Sequence, residues 1–280
     1  MRISLQEANG WAILPSSLKR PDGTPRFNLN FPKHLIPDPG AVHLVVNESG
    51  NGYEPPTRDL IERILRRGDL FLDVGAHWGF FTLQAATHPA GEIDVVAFEP
   101  DLLNATILSE NVVRNQSSNV TVICAACGSE FGLASLVTNT TMGHSIRGAD
   151  SRIDGKGPSK WVSVVTLDGA LASLQKHVGR RIILKIDAES FEPNIISGAK
   201  SLLRGGRVAL IVWECGGDFA KGRGHAAMIQ MIAFLSDCGF RHLQSPENAV
   251  DRPSVRFDAE GDFSGNVFSF SPELNESFEF

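Results

Sequence analysis

Apolar runs and amphipathic segments alternate along the chain from Gly68 onward. Short, near-continuous apolar runs bounded by turn-forming residues predict buried strands, and apolar residues three and four positions apart predict helices. The predicted strands are 69–74, 93–98, 119–125, 181–186 and 207–213, and the predicted helices are 79–87, 101–115, 168–177, 191–203 and 225–238. Apolar strands separated by helices in this way indicate a parallel sheet that is covered on both faces.

The C-terminal part of the chain departs from this alternation. Two strand-like segments, 239–243 and 266–271, are joined by a long polar stretch and predict a hairpin whose second strand runs antiparallel to the sheet. Residues 131–165 do not fit the strand–helix repeat either, and we interpret them as an insertion over the substrate site. We therefore expect one α/β domain over residues 51–280.

The N-terminal part, residues 1–50, is rich in the turn formers Pro and Gly. Between the turns lie two short apolar pieces with β character, Trp11–Leu14 and Val42–Val46. This pattern predicts an irregular, β-rich N-terminal extension rather than a second folded domain.

Composition narrows the class of protein. Of the 280 residues, 42% are apolar and 21% are charged, which predicts an ordinary globular core. The net charge of -6 argues against nucleic acid as a partner, because nonspecific binding relies on clustered Lys and Arg. No apolar run has the length of a membrane span, and the first residues lack the apolar core of a signal peptide. We therefore expect a cytoplasmic protein.

Two of the four cysteines, Cys124 and Cys127, form a C-x-x-C pair. The pair lies in the apolar run Val120–Cys127, and no second pair with the spacing of metal ligands follows. We interpret both as buried strand cysteines rather than as a zinc or redox site.

A glycine turn after the first sheet strand is the strongest functional signal. Asp73 ends an apolar strand, Gly75 permits a tight turn, and Gly79 opens the next helix, where a ligand can approach the backbone closely. The acidic Glu99 follows the second strand, where a doubly wound sheet holds the ribose of a bound nucleoside. The spacing G-x-x-x-G differs from the G-x-G-x-x-G of dinucleotide folds, which counts against NAD.

As a set, the motifs of residues 53–215 resemble the FkbM-type S-adenosylmethionine-dependent methyltransferases. The segments that carry this resemblance are Asp73–Phe80, Ala97–Pro100, Thr166–Asp168 and Leu184–Glu192, followed by Gly198, Ala199 and Glu214. The resemblance implies a class I methyltransferase fold, which is a Rossmann-like, doubly wound, mostly parallel seven-stranded sheet with the last strand antiparallel. It also implies S-adenosylmethionine as the cofactor.

By the same resemblance, Asp73, Gly75 and Gly79 surround the methionine end of the cofactor, and Glu99 holds the ribose. The residues predicted to contact the cofactor are Glu54, Asp73, Gly75, His77, Gly79, Thr82, Glu99, Pro100 and Ala126. The chain departs from the family twice, with His77 where the family usually has Asn and Ser190 where it has Gly. Asn and Gly tolerate a left-handed backbone better than His and Ser do.

A second group of polar residues follows the later strands. Lys185, Asp187 and Glu189 are spaced by two, so they would share one face of an extended strand, and Glu214 ends the neighbouring strand. We predict that Asp187, Glu189 and Glu214 bind an acceptor hydroxyl and that one of the first two removes its proton. His144, in the 131–165 insertion, is an alternative base.

Three other interpretations of these acids stay open. Lys185 and Asp187 could form a purely structural ion pair, and Glu189 and Glu192 could serve only to begin the following helix. The carboxylates could also hold a divalent cation such as magnesium, although no metal ligand is assigned.

The leading hypothesis is an S-adenosylmethionine-dependent O-methyltransferase, and the family resemblance implies that its acceptor is a hydroxyl of a sugar, a glycan or a small secondary metabolite. A nicotinamide-dependent oxidoreductase is an alternative, since Glu99 suits it equally well. A non-catalytic ligand-binding domain of the same fold is the third possibility.

Overall fold

The computed structural model describes residues 5–137, 145–147, 159–175, 178–215, 224–246, 255–257 and 265–275. The strands are β1 (Gln6–Ala8), β2 (Trp11–Pro15), β3 (Asn28–Pro32), β4 (Leu70–Val74), β5 (Asp94–Phe98), β6 (Val120–Ile123), β7 (Ala126–Cys127), β8 (Gly132–Val137), β9 (Ser145–Arg147), β10 (Ser159–Val165), β11 (Ile182–Ile186), β12 (Val208–Cys215), β13 (Arg241–Pro246), β14 (Val255–Arg256) and β15 (Gly265–Phe270). The helices are α1 (Pro39–Ser49), α2 (Pro55–Ile64), α3 (Phe80–Ala86), α4 (Leu102–Arg114), α5 (Leu167–Ser173), α6 (Glu192–Ser197), α7 (Lys200–Arg204), α8 (His225–Asp237) and α9 (Pro272–Asn275), with a short 3₁₀ turn at Lys33–Leu35.

The central sheet has the strand order β13-β15-β12-β11-β4-β5-β6, and the two-residue β14 lies outside β13. Strands β12, β11, β4, β5 and β6 pair in parallel, whereas β15 pairs antiparallel with both of its neighbours. The chain order reverses between β4 and β11, so the ends of these strands open the crevice in which such sheets bind ligands. The predicted class I methyltransferase fold, with its last strand antiparallel, is confirmed.

Alternate residues of the sheet strands face two separate apolar layers. One face of the sheet packs against α2, α3 and the N-terminal strands, with Phe71 and Ile183 at its centre. The other face, with Leu72 and Leu184, packs against α6, α7 and α8. The carboxyl ends of the parallel strands are thereby held between two packed layers, which fixes the position of the residues that follow each strand.

The N-terminal extension contains a three-stranded antiparallel sheet of β1, β2 and β3, followed by α1. The β-like piece Trp11–Leu14 is part of β2, but the strand predicted at Val42–Val46 is wrong, because these residues lie in α1. Asp38 begins this helix by accepting a hydrogen bond from the Gly40 N–H, and Pro39 occupies the first turn. These two signals outweigh the β propensity of the valines.

The single helix predicted at 191–203 is also wrong, since α6 and α7 are separated at Gly198 and Ala199. Gly198 passes so close to Gly128 that a Cβ at this position would lie 1.9 Å from the Gly128 carbonyl oxygen. Asp168 then begins α7 by accepting hydrogen bonds from the N–H groups of the first turn. The loop after β7 and the start of α5 therefore set the position of the break.

Of the two cysteines interpreted as buried strand residues, only Cys127 is buried in a strand. Strand β6 ends at Ile123, and the chain turns so that the Ala125 N–H bonds the Ile123 carbonyl, which leaves Cys124 exposed. The described cysteines are all free thiols.

Within the region 131–165, the described residues form β8, β9 and β10. Together with β7 they make a second sheet in the order β7-β10-β8-β9, in which β8 pairs antiparallel with β9 and β10. His144 lies outside the described residues. Across the described part of the chain, no helix is long and apolar enough to cross a membrane.

Candidate active site

The glycine turn after β4 is bound to both neighbouring strands. The N–H groups of Gly75 and Ala76 donate to the Phe98 carbonyl at the end of β5, at 2.9 and 3.0 Å. On the other side, the Asp187 N–H donates to the Val74 carbonyl at 2.9 Å. Gly75 has a φ of +78°, which favours glycine. The turn is thereby fixed in the crevice between β4, β5 and β11.

The turn ends at Gly79, which packs directly on α4. A Cβ at Gly79 would lie 2.4 Å from a methyl carbon of Leu108, and its φ is +92°. Just before it, the Trp78 indole donates a hydrogen bond of 2.9 Å to Asn104, and the His77 ring stacks on Trp78 with centroids 4.7 Å apart. These contacts hold the start of α3 against α4.

Glu99 immediately follows β5 beside the turn and is only 4% exposed. Its two carboxylate oxygens accept hydrogen bonds from the main-chain N–H groups of His77 and Asp101, both at 2.9 Å. Burial raises the pKa of Glu99 to about 7, although these two hydrogen bonds oppose the shift. The Asn104 side chain also hydrogen-bonds Glu99, and the lone-pair capacity that remains can accept from a ribose hydroxyl.

Asp73, at the end of β4, is 1% exposed and points toward α3. Its Oδ2 accepts a hydrogen bond of 2.6 Å from the Thr82 hydroxyl, and its buried Oδ1 has no hydrogen-bond partner among the described residues. Burial raises the pKa of Asp73, and the positive charge of Lys185 opposes that shift. The unpaired oxygen is a polar atom to which a cofactor group could bind, directly or through water.

Lys185 lies beside Asp73 in the register of β11 and β4, and is 3% exposed. Its ammonium is 3.1 Å from the Oδ2 atom of Asp187 and 4.8 Å from the centroid of the Phe81 ring. Burial alone would lower the pKa of Lys185, but the carboxylates of Asp187, Glu54 and Asp73 raise it above its usual range. Lys185 is therefore a buried ammonium that is surrounded by carboxyl groups.

The remaining acids follow β11 and end β12. Strand β11 ends at Ile186, so Asp187 lies just beyond it. Glu189 lies in the next turn with a φ of +49°, and the predicted alternation of side chains therefore does not extend to Glu189. Burial and the neighbouring carboxylates, Asp187 first among them, raise the pKa of Glu214 to about 8. These surroundings therefore favour the protonated form of Glu214.

Two further carboxyl groups border this cluster. Glu192 folds back on the turn and accepts a hydrogen bond of 3.0 Å from the Ala188 N–H, while burial raises its pKa to about 8. Glu54, which precedes α2, accepts a hydrogen bond of 3.1 Å from Asn266, the residue that pairs with Glu214 across β12 and β15. The acids thus form an arc along the carboxyl ends of three strands.

A pocket of about 330 Å³, open solvent at its mouth included, lies beside the glycine turn. The residues that line it are Leu29, Leu44, Tyr53, Gly75, Ala76, His77, Trp78, Phe80, Phe81, Lys185 and Asp187. Of the residues predicted for the site, the pocket brings together Gly75, His77 and Asp187. Glu99 and Pro100 lie on the other side of the turn, and Ala126 is buried within β7.

The sequence did not predict that the N-terminal extension forms a wall of this pocket. Leu29 from β3 and Leu44 from α1 line it, and the Phe31 ring stacks on Trp78 with centroids 4.9 Å apart. The Asn30 N–H donates to Asn111 on α4, whose side-chain amide in turn donates to the Trp78 carbonyl. Since these contacts join segments that are distant in the chain, no local sequence pattern predicts them.

S-adenosylmethionine, the cofactor implied by the sequence resemblance, fits this arrangement. The pocket, together with the unpaired Asp73 oxygen, offers polar groups to an amino-acid end, and the Glu99 carboxylate lies where a ribose is held. Among the described residues, no group of three or more His, Cys, Asp or Glu side chains is arranged to hold a metal ion.

This chain is similar to methyltransferases of known sequence or structure. A ribosomal protein L11 methyltransferase of Chloroflexus aurantiacus is 31% identical over 117 residues, which cover 41% of this chain and 31% of that protein. The crystal structure of a methyltransferase FkbM from Methylobacillus flagellatus has a TM-score of 0.46 and 14% identity, covering 74% of this chain and 45% of the other. A SAM-dependent O-methyltransferase from Thermotoga maritima has a TM-score of 0.40 and 12% identity, covering 82% and 71%.

The matched parts thus span about a third of the curated relative and less than half of the FkbM structure. The family model of the methyltransferase FkbM domain matches residues 73–242, which is more than half of the chain and includes the glycine turn, Glu99 and the acids after β11 and β12. The chain belongs to the FkbM methyltransferase family.

Proposed function

We propose that this protein is an S-adenosylmethionine-dependent O-methyltransferase whose acceptor is a hydroxyl of a sugar, a glycan or a small secondary metabolite. The observation that carries the proposal is the placement of the glycine turn between two sets of carboxylates. Glu99 lies on the β5 side of the turn, and Asp187 lies on the β11 side. One crevice therefore offers a nucleoside site and, next to it, groups that can bind and deprotonate a hydroxyl.

The cofactor supplies a methyl group on a positively charged sulfur, and the protein must align an acceptor oxygen with it. Alignment alone can contribute roughly 7–11 kcal/mol to lowering the barrier. A neutral hydroxyl is a weak nucleophile, so a base adds about 10²–10⁴ in rate. Asp187 or Glu189 is proposed as that base, and Glu214 as an anchor for the acceptor. The protonated Glu214 can donate a hydrogen bond to an acceptor oxygen.

The roles proposed on the cofactor side are those that the family resemblance implies, and the contacts of these residues support them. Glu99 holds the ribose, while Asp73, which Thr82 orients, and the Gly75 turn hold the amino-acid end. Glu54 accepts a hydrogen bond from Asn266 and lies near Lys185. Gly79 and His77 shape the turn, and Pro100 lies between Glu99 and Asp101, the residue that begins α4.

The cofactor is tested by titrating the purified protein calorimetrically with S-adenosylmethionine and S-adenosylhomocysteine, with NAD as the competing ligand. We expect saturable binding of the first two and none of NAD, and we expect E99A to abolish it. E110Q, which changes an exposed carboxyl on α4, is the matched control and should bind normally. Binding of NAD alone would replace this proposal with an oxidoreductase.

The acceptor is tested by a panel of sugars, glycans and small hydroxylated metabolites, with mass spectrometry locating the added methyl group. Ribosomal protein L11 belongs in the panel, because one relative that is 31% identical in its matched region is named for it. Methylation of an oxygen supports the proposal, whereas exclusive methylation of nitrogen would contradict it. Cofactor binding without transfer to any of these acceptors would favour the non-catalytic interpretation.

A further inference from the structure

Lys185 joins three carboxylates that come from three different elements. Asp73 lies beside it on β4, Asp187 follows it after the end of β11, and Glu54 precedes α2. Burying an ammonium is unfavourable unless its charge is compensated, and here three acids compensate it. The face of the Phe81 ring, 4.8 Å from the ammonium, closes the remaining side.

The ion pair with Asp187 is asymmetric in its exposure. The Lys185 side chain is 4% exposed, whereas the Asp187 side chain is 32% exposed and lines the pocket. The ammonium therefore holds the carboxylate from behind, at 3.1 Å from Oδ2, and leaves its outer side accessible. A purely structural ion pair does not require that one partner be exposed in a ligand pocket.

Other charged and titratable groups bear on this pair from every side. Tyr53 and Glu54 face it from the segment before α2, and burial raises the pKa values of both. Glu214 approaches from β12, and Glu189 and Glu192 follow Asp187 in the chain. Without Lys185 the negative charges of these carboxylates would repel one another.

We infer that Lys185 is a positioning residue of the methyl-transfer site, whose ammonium holds the Asp187 carboxylate turned toward the pocket. This inference rests on the proposed function, in which Asp187 serves as the base or the anchor of the acceptor. Lys185 acts through Asp187 and needs no contact with the acceptor itself.

The test measures S-adenosylhomocysteine affinity by calorimetry, which requires no known acceptor. Asp187 lines the pocket, so its position affects the affinity for a ligand that carries an ammonium group. In K185M the affinity should fall by about tenfold, since the Asp187 carboxylate loses the charge-assisted hydrogen bond that holds it toward the pocket. K185R, which keeps the charge and the donor, should bind within about threefold of wild type.

A double-mutant cycle separates positioning from a general structural effect. If Lys185 acts through Asp187, K185M/D187N should behave like D187N alone, whereas independent roles would give additive losses. Should K185M fail to fold, K185M/E54Q removes one of the repelling acids together with the lysine and takes its place in the cycle. The acceptor assay then adds turnover, in which K185M should lower kcat and K185R should not.

The outcomes are distinguishable. A wild-type protein that does not bind S-adenosylhomocysteine overturns the proposed function and this inference with it. Normal wild-type binding together with unchanged affinity in folded K185M, or with additive losses in the cycle, overturns the inference about Lys185 alone.

Discussion

A Cβ placed on Gly75 would lie 1.8 Å from the main-chain carbonyl oxygen of Asp187. The turn proposed to receive the cofactor and the residue proposed to handle the acceptor are therefore in direct backbone contact. Neither β4 nor β11 can move at this end without the other, which fixes the distance between the two halves of the crevice. The Asp187 N–H, bonded to the Val74 carbonyl at 2.9 Å, reinforces this contact.

This contact predicts that G75A abolishes cofactor binding. The added methyl group must displace Asp187, and the alanine must adopt a φ of +78°. We therefore expect no measurable S-adenosylhomocysteine binding and a loss of about 3 kcal/mol in stability. G179A is the matched control, because Gly179 has a φ of +80° with open space around it. Its cost should be limited to backbone strain, about 1 kcal/mol, with normal binding in calorimetry.

The acid cluster predicts a graded effect on turnover. The variant that removes the base, D187N or E189Q, should lower kcat by about 10²–10⁴ while leaving a folded protein. The other of these two variants and E214Q should lower kcat by about tenfold, because each loses one hydrogen bond that orients the acceptor. Steady-state assays with the identified acceptor check this order, and near-normal turnover in all three variants would refute the mechanism.

The sheet and the glycine turn could be predicted from the sequence because both depend on local patterns of residues. Strands such as Leu70–Val74 are continuous apolar runs, and the turn after Asp73 combines small residues at fixed spacing with an acid one strand later. The helix Pro39–Ser49 shows where propensity misleads. Val42 and Val46 are exposed on that helix, whereas Ala41 and Leu44, at helical spacing, are buried.

The rest of the site depends on contacts that no local pattern carries. Leu29 and Leu44 line the pocket only because the extension docks on α4 through Asn30 and Asn111, which are 81 residues apart. Lys185 could be recognised as a partner of Asp187 from its spacing, but its burial among Asp73 and Glu54 follows from strand register and from the path of the chain before α2. Tertiary packing decided these features.

Buried carboxyl groups predict that the protein without ligand becomes less stable as the pH rises from about 6.5 to about 8. Burial raises the pKa values of Glu99 to about 7 and of Glu192 and Glu214 to about 8, above those of the unfolded chain. The stability linked to these protons is fully present below the unfolded pKa and is lost as the pH rises through the folded values. We expect Tm to fall by about 5 °C over this window.

His242, whose pKa burial lowers to about 4, has an opposing effect that is small in this window. Histidine in the unfolded chain is half protonated near pH 6.5 and almost entirely neutral above about pH 7.5, so the opposing slope fades as the pH rises. Thermal unfolding followed by circular dichroism at several pH values measures the effect. E214Q should reduce the fall in Tm and E110Q should not, whereas a Tm that rises over the window would contradict the assigned pKa shifts.

The two departures from the family pattern predict stabilising substitutions. His77 has a φ of +50° and Ser190 a φ of +75°, a region that costs most residues roughly 1–2 kcal/mol but that Asn and Gly adopt readily. H77N and S190G should therefore each stabilise the protein by about 0.5–1 kcal/mol, or about 1–4 °C in Tm. The loss of His77 stacking on Trp78 places H77N at the lower end of this range.

Matched substitutions at positions with negative φ separate this effect from side-chain chemistry. H34N changes an exposed histidine in a 3₁₀ turn and should give no gain, while S201G, within α7, should lose about 1 kcal/mol. H77N also tests how His77 serves the cofactor. Its main-chain N–H bonds Glu99 whatever the side chain, so S-adenosylhomocysteine affinity should stay within about threefold of wild type. A larger loss of affinity in a more stable H77N would assign the contact to the imidazole ring itself.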